Sequence, residues 1–190
     1  MSDSFILGID PSLTATAVSG QSKDLILIDD VISAAKGCTG VERLDYIERA
    51  LDGILSRTEP DLIVIEGYSH GSQWGREALG ELGGVLRLLF YRCNIKTLVV
   101  APRSLKKFVV GSGGKEVKKE QMLLAAFKRW GAEFTSNDAC DAFCLCKLGL
   151  AYLLQDKSVL TIAQRDVLQK VSVYFDPERR MLPPRRRRKK

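Results

Sequence analysis

The chain has 190 residues, 45% of them hydrophobic, which is enough to bury the core of one ordinary domain. No stretch is apolar for about 18 residues, and the N-terminus lacks the basic start and cleavage site of a secretory signal. We therefore expect neither a membrane span nor export. Five cysteines, an odd number in mostly apolar surroundings, favour reduced thiols in a cytoplasmic protein over a disulfide framework.

The net charge of +6 is unevenly distributed along the chain. The last six residues, Arg185–Lys190, are all basic, and the rest of the chain carries no net charge without them. Pro102–Arg129 nevertheless contains eight Lys or Arg and only two Glu. A local basic surface with a basic tail is typical of nucleic-acid binding. The alternative is a solvated helix face and a tail that aids solubility.

The apolar pattern predicts three short strands joined by turns, followed by helices that alternate with two further strands. The predicted strands are Phe5–Asp10, Thr14–Ser19, Leu25–Ser33, Asp61–Glu66 and Ile95–Ala101. The predicted helices are Val41–Arg57, Glu77–Arg92, Ser104–Val110, Lys115–Trp130 and Asp138–Leu154, the last with Asn137 as its N-cap. This order predicts an α/β domain with a mixed five-stranded sheet flanked by helices.

The chain divides in composition near residue 155. Residues 1–155 are predicted to form the α/β domain, and residues 156–190 a C-terminal extension. In this extension Gln164–Tyr174 is predicted to form a short helix. From Asp176 onward the sequence is rich in Pro and Arg, so we expect a disordered basic tail that contacts phosphates.

Four acidic residues stand where burial is expected. Asp10 and Glu66 each end a buried strand, and neighbouring strands would bring both to the same edge of the sheet. Asp138 and Asp141 are three residues apart, so they share one face of a helix in its first turn. Four converging carboxylates favour Mg²⁺ or Mn²⁺, and two such ions would serve the cleavage of a phosphodiester.

Each acid taken singly has a simpler explanation. Asp138 alone is typical of a helix-capping charge, and Asp10 before Pro11 is typical of a turn. The combination is more specific than any one member. The single histidine, His70, lies four residues past Glu66. It would either assist proton transfer there or serve as a loop residue or phosphate contact.

The segments Phe5–Ser12, Ile65–Glu66, Gly111–Lys115 and Asp138–Ala142 resemble the RuvC family of Holliday junction resolvases in order, spacing and context. The resemblance extends over roughly residues 5–153. It implies an RNase H-like fold, a homodimer, paired nicks in a four-way DNA junction, and metal binding by the four acids named above. It also implies that helix Glu77–Arg92 forms the dimer contact; packing on the sheet is the alternative.

The resemblance and the basic residues together indicate where DNA would bind. Lysines surround the Gly-rich segment 111–114, and the family carries a base-stacking aromatic shortly after its second acid. The predicted DNA contacts are Tyr68, Arg103, Lys106, Lys107, Lys115, Lys118 and Lys119, with Trp74 as a second aromatic candidate. Ser12 departs from the family, which has Gly there. Such divergence suggests a phage or viral member that acts in the cytoplasm of its bacterial host.

We therefore predict a metal-dependent crossover junction endodeoxyribonuclease that functions in DNA recombination and repair. One alternative is a nuclease of the same fold with relaxed specificity for forks, flaps and other branched DNA. Another is a catalytically silent junction-binding protein, which would have no need of four mutually repelling acids. An actin-like phosphotransferase is disfavoured by the chain length and by the lack of a second phosphate-binding loop.

Overall fold

The computed structural model describes residues 4–22, 25–67, 76–114, 117–154 and 156–179. The strands are β1 (Phe5–Asp10), β2 (Thr16–Ser22), β3 (Leu25–Ile32), β4 (Leu62–Glu66), β5 (Lys96–Val100) and β6 (Ser172–Phe175). The helices are α1 (Gly40–Thr58), α2 (Arg76–Arg92), α3 (Pro102–Val110), α4 (Lys119–Trp130), α5 (Asn137–Leu153) and α6 (Ile162–Lys170). Within these residues, no helix combines the length and the apolar character that crossing a membrane requires.

The strands form one mixed sheet in the order β3-β2-β1-β4-β5-β6. The first three strands are an antiparallel meander, and β1, β4 and β5 run parallel to one another. Parallel neighbours require crossovers, which α1 and α2 supply. The expected mixed α/β sheet flanked by helices is therefore confirmed, including the adjacency of β1 and β4.

The C-terminal segment differs from the prediction, because the sheet has six strands and not five. The segment Gln164–Tyr174, predicted as one helix, divides into α6 and β6. Strand β6 pairs antiparallel with β5, with Val173 opposite Leu98. Such a short strand forms where the open edge of β5 offers it backbone partners, and local sequence does not report that edge. The domain boundary at residue 155 stays a prediction.

The core lies on both faces of the sheet, because side chains alternate along each strand. Helices α1 and α2 cover one face, which carries the side chains of Leu7, Ile9, Ile63 and Ile65. Helices α3 to α6 cover the other face, which carries those of Ile6, Leu62, Val64 and Leu98. By the same alternation, Asp10 and Glu66 project toward the face that α5 covers.

Helix α5 packs directly on β1 because Gly8 has no side chain. A Cβ atom at Gly8 would overlap the backbone carbonyl of Ala142, in the second turn of α5. Nearby, the Cys146 thiol donates a hydrogen bond to the Ser19 carbonyl at 2.7 Å. All five cysteines are free, and the three in α5 are buried. This close approach brings the first turn of α5 to the ends of β1 and β4.

We expect Gly8→Ala to lower the free energy of unfolding by about 1–3 kcal/mol, because the added methyl group meets helix backbone that cannot move independently. The matched control is Gly53→Ala in α1, where a Cβ would make only ordinary contact with Arg57. That control should leave stability unchanged or raise it by up to about 1 kcal/mol. Urea unfolding measures both, and equal effects of the two substitutions would contradict the packing argument.

Candidate active site

Asp10 and Glu66 lie side by side at one edge of the sheet. Ile9 pairs with Ile65 in the parallel β1–β4 ladder, so the two acids that follow are level with each other. Their carboxyl groups are hydrogen-bonded to each other, a contact that lowers the pKa of Asp10 and raises the pKa of Glu66. The expectation that neighbouring strands bring these two acids together is therefore confirmed.

Asp138 and Asp141 reach the same place from the first two turns of α5. The Ser136 hydroxyl accepts a hydrogen bond from the backbone N–H of Ala139 at 3.1 Å and so caps the helix. The predicted cap, Asn137, is wrong by one residue, because it is the first helical residue itself. Ser and Asn are both good caps, and only the backbone path into the helix decides between adjacent candidates.

Glu66 and Asp141 line an open cavity of about 350 Å³. Seven residues from two strand ends and three helices line it: Pro11, Glu66, Gly67, Leu79, Pro102, Lys106 and Asp141. Leu79 and Pro102 are not among the site residues predicted from sequence, because an apolar side chain does not by itself indicate a functional site. The cavity sits at the carboxyl ends of the parallel strands, the usual position of a site in an open α/β sheet.

The electrostatics of the cavity are dominated by burial and by like charge. Burial, followed by the charges of Asp10 and Asp141, raises the pKa of Glu66 to about 9. Burial, followed by Asp141 and Asp138, raises the pKa of Asp10 to about 7. Burial and then Asp138 raise the pKa of Asp141 to about 6. These shifts show that negative charge is costly here and that the cavity favours a cation.

The donor set fits a divalent metal ion. Four carboxyl groups supply hard oxygen ligands, the type that Mg²⁺ and Mn²⁺ prefer. Among residues 4–22, 25–67, 76–114, 117–154 and 156–179, no three acidic, His or Cys side chains are already arranged around one metal position. Asp10 and Glu66 are hydrogen-bonded to each other, and burial raises the pKa of both carboxyl groups. The assignment of the four acids as metal ligands stays a prediction.

Two of the predicted DNA contacts lie at the acids. The charge of Lys106 lowers the pKa of Glu66 and Asp141, and the charge of Lys119 lowers that of Asp10 and Asp141. The Lys106 ammonium also donates to the Val117 carbonyl at 3.1 Å, which fixes it beside the cavity. Lys106 and Lys119 are therefore the described cations that act on the carboxylates most directly.

The other predicted DNA contacts have different surroundings. Lys107 forms an ion pair with Asp166 at 2.6 Å, a partner 59 residues away that no sequence pattern indicated. Arg103 and Lys118 are exposed. The remaining predictions, for Tyr68, His70, Trp74, Lys115 and the tail Arg185–Lys190, lie outside the described residues.

Ser12, where the family has Gly, organises the turn after Asp10. Its hydroxyl accepts hydrogen bonds from the backbone N–H groups of Thr14 at 3.3 Å and Ala15 at 3.4 Å. Its backbone does not adopt positive φ, so Ser is sterically acceptable at this position. Ser12 in place of the family's glycine is therefore compatible with the turn that follows Asp10.

We expect the metal-free protein to lose stability as pH rises from about 4 to about 9. The raised pKa values mean that the folded state holds more protons than the unfolded state across this range, so the free energy of unfolding falls with pH. A divalent cation should raise the melting temperature clearly near pH 8 and little near pH 5, where protons occupy the same oxygens. Thermal unfolding with Mg²⁺ and with EDTA measures both effects.

The control is the double substitution Asp10→Asn with Asp141→Asn. It should be more stable than the natural chain in EDTA near pH 8 and should lose the Mg²⁺ effect. A metal-induced shift that is as large near pH 5 as near pH 8 would show that the ion binds elsewhere.

Comparison with known proteins identifies the family of this chain. Residues 6–147 match the family model of the crossover junction endodeoxyribonuclease RuvC. The chain is 32% identical over 143 residues to RuvC of Acidiphilium cryptum, covering 72% of this chain and 84% of that protein. It is 29% identical over 147 residues to RuvC of Mycolicibacterium vanbaalenii, covering 74% and 75% respectively.

Among solved structures, Thermus thermophilus RuvC in complex with a Holliday junction substrate superposes with a TM-score of 0.65 at 17% identity, covering 75% of this chain and 90% of that chain. This likeness confirms the expected RNase H-like fold. The family match spans β1 to most of α5, with all four acids, and ends before α6 and β6. The chain belongs to the RuvC family.

Proposed function

We propose that the protein is a crossover junction endodeoxyribonuclease that resolves four-way DNA junctions by hydrolysing phosphodiester bonds. The observation that carries this proposal is the grouping of Asp10, Glu66, Asp138 and Asp141 within electrostatic reach of one another, beside a cavity lined by Glu66, Asp141 and Lys106, in a chain of the RuvC family. The alternatives of a relaxed branched-DNA nuclease and a silent junction binder are not favoured. A protein that only binds junctions would have no use for buried acids that repel one another, because such acids lower its stability.

The family's chemistry depends on a divalent metal. We propose Mg²⁺ or Mn²⁺, with two ions in each site, held by Asp10, Glu66, Asp138 and Asp141. When bound, the metal lowers the pKa of the attacking water and stabilises the charge that develops on the phosphate and on the departing ester oxygen. A divalent metal would favour the ionised form of Glu66 and so oppose the effect of burial, which raises the pKa of this carboxyl group.

The lysines beside the acids have a separate role in this proposal. Lys106 and Lys119 bind the scissile phosphate, since their charges already act on the cavity that the phosphate must enter. A fixed ammonium stabilises phosphate charge without reorganising during the reaction. Arg103 of α3 and Lys118, the residue before α4, are exposed and bind the neighbouring DNA backbone. An enzyme with this substrate acts inside a cell, and we predict that this cell compartment is the cytoplasm of a bacterium.

We expect Asp10→Asn, Glu66→Gln, Asp138→Asn and Asp141→Asn each to slow junction cleavage by at least about a hundredfold, because each removes a metal ligand. Junction affinity in EDTA should stay equal or rise, since a negative charge near phosphate is lost. Cleavage and gel-shift assays on labelled four-way junction, flap and duplex DNA measure both properties.

The control is Asp45→Asn, which removes an exposed acid of α1 that pairs with Arg49 on the same helix. It should cleave at the natural rate. Near-natural cleavage rates in Mg²⁺ for any two of the four amide variants would contradict the assignment of the four acids as metal ligands. Equal cleavage of duplex and junction DNA would favour the nuclease with relaxed specificity.

Paired nicks in opposed strands require two sites related by a two-fold axis, so the active form is a homodimer. Helix α2 is the proposed contact. Its inner face is buried in the core, and its outer face carries exposed residues at helical spacing: Glu77, Glu81, Gly84 and Leu88. Leu88 is 47% exposed, and a Cβ at Gly84 would meet open space, so a second helix has room to approach closely.

We expect Leu88→Arg to convert the dimer to monomer, because it replaces an apolar side chain of the proposed contact face with a larger, charged one that would have to be buried. The matched control is Val159→Arg, which charges an apolar residue that is 75% exposed elsewhere on the chain and should leave the dimer intact. Analytical ultracentrifugation at micromolar concentration distinguishes the two forms. A fully active natural monomer would rule out the dimer.

A further inference from the structure

Helix α6 lies outside the family match, yet it is packed against the nuclease core. Its side chains Val167 and Leu168 are buried in the same cluster as Leu105 and Phe108 of α3. The two helices are therefore in direct apolar contact. The apolar side chains of α6 therefore form one side of the surface on which α3 packs.

An ion pair adds a directional link to this apolar contact. The Lys107 ammonium of α3 lies 2.6 Å from one carboxylate oxygen of Asp166, and the Lys170 ammonium lies 2.7 Å from the other. The hydrogen bond from Lys107, then that from Lys170, lowers the pKa of Asp166 to about 2. Asp166 is thus charged at every pH at which DNA remains a substrate, and both of its oxygens are engaged.

Helix α3 also forms a wall of the proposed active site. Pro102 and Lys106 line the cavity, and Lys106 is the immediate neighbour of Lys107. Successive helical residues are about 100° apart, so a contact on Lys107 sets the rotation that aims Lys106. The helix has nine residues, and the loop behind it presses Gly113 against the Arg103 carbonyl. A short helix of this kind depends on its neighbours for orientation.

We propose that α6 positions α3 for the cleavage reaction, with the Lys107–Asp166 ion pair as the contact that aims Lys106 at the scissile phosphate. This inference rests on the proposed function for its substrate. It makes Asp166 and Lys107 positioning residues, since neither lines the cavity. It also reassigns Lys107, whose ammonium is engaged by Asp166, from the predicted role of DNA contact.

The experiment compares three full-length variants with the natural chain. Asp166→Asn removes the charge that holds Lys107, and Asp166→Glu keeps it. Lys170→Gln is the matched control, because it removes the other ammonium from the same carboxylate without touching α3. The readouts are the single-turnover cleavage rate on a four-way junction in Mg²⁺, junction affinity in EDTA, and amide hydrogen exchange across Pro102–Val110.

We expect Asp166→Asn to slow cleavage about tenfold, since a small displacement of a phosphate-binding group is costly in rate. Junction affinity should stay within about twofold, because Lys107 does not hold DNA in this proposal. Exchange in Pro102–Val110 should become faster. Asp166→Glu should recover most of the rate, and Lys170→Gln should match the natural chain in all three measurements.

Three results would overturn the proposal. The first is a natural rate and natural exchange for Asp166→Asn. The second is tighter junction binding without slower cleavage, which would mean that Lys107 is a DNA contact restrained by Asp166. The third is an equal loss of rate for Lys170→Gln, which would mean that only the stability of α6 matters. A different result would separate this proposal from the proposed function. If the natural chain cuts no junction, but hydrogen exchange in α3 becomes faster in Asp166→Asn and not in the other two variants, the proposed function fails and the positioning of α3 by α6 stands.

Discussion

Four carboxyl groups are held close together at one edge of the sheet although burial and like charge oppose the ionisation of three of them. The raised pKa values of Asp10, Glu66 and Asp141 express this cost. A site of this kind exists only if the rest of the fold holds the acids together against their repulsion. The divalent cations proposed for this site would relieve the repulsion, because their positive charge offsets that of the carboxylates.

The scaffold resists this repulsion through contacts that lie away from the acids. Strands β1 and β4 are fixed side by side by their parallel ladder and by apolar layers on both faces. Helix α5 is fixed to β1 by the missing side chain of Gly8 and by the buried thiol of Cys146. Stability supplied by this packing offsets the electrostatic cost of the cavity, the usual relation between a core and a strained functional site.

The cations of the chain are distinguished by their partners more than by their number. Lys106 and Lys119 act on the acids, whereas Lys107 is engaged by Asp166 on a helix beyond the family match. Adjacent lysines in one short helix thus face different surroundings. Helix α6 and strand β6 extend the family's core on this side of the molecule. Helix α6 contacts α3, which forms one wall of the cavity.

The sequence by itself determined the mixed α/β fold, the adjacency of β1 and β4 and the four acids, because strand periodicity, helical spacing and buried charge are local patterns. Tertiary structure decided the rest. Strand β6 forms because β5 offers an open edge, and Ser136 caps α5 because the backbone enters the helix there. Lys107 pairs with Asp166 across 59 residues of sequence. Each of these depends on groups that only folding brings together, and so no local pattern reports them.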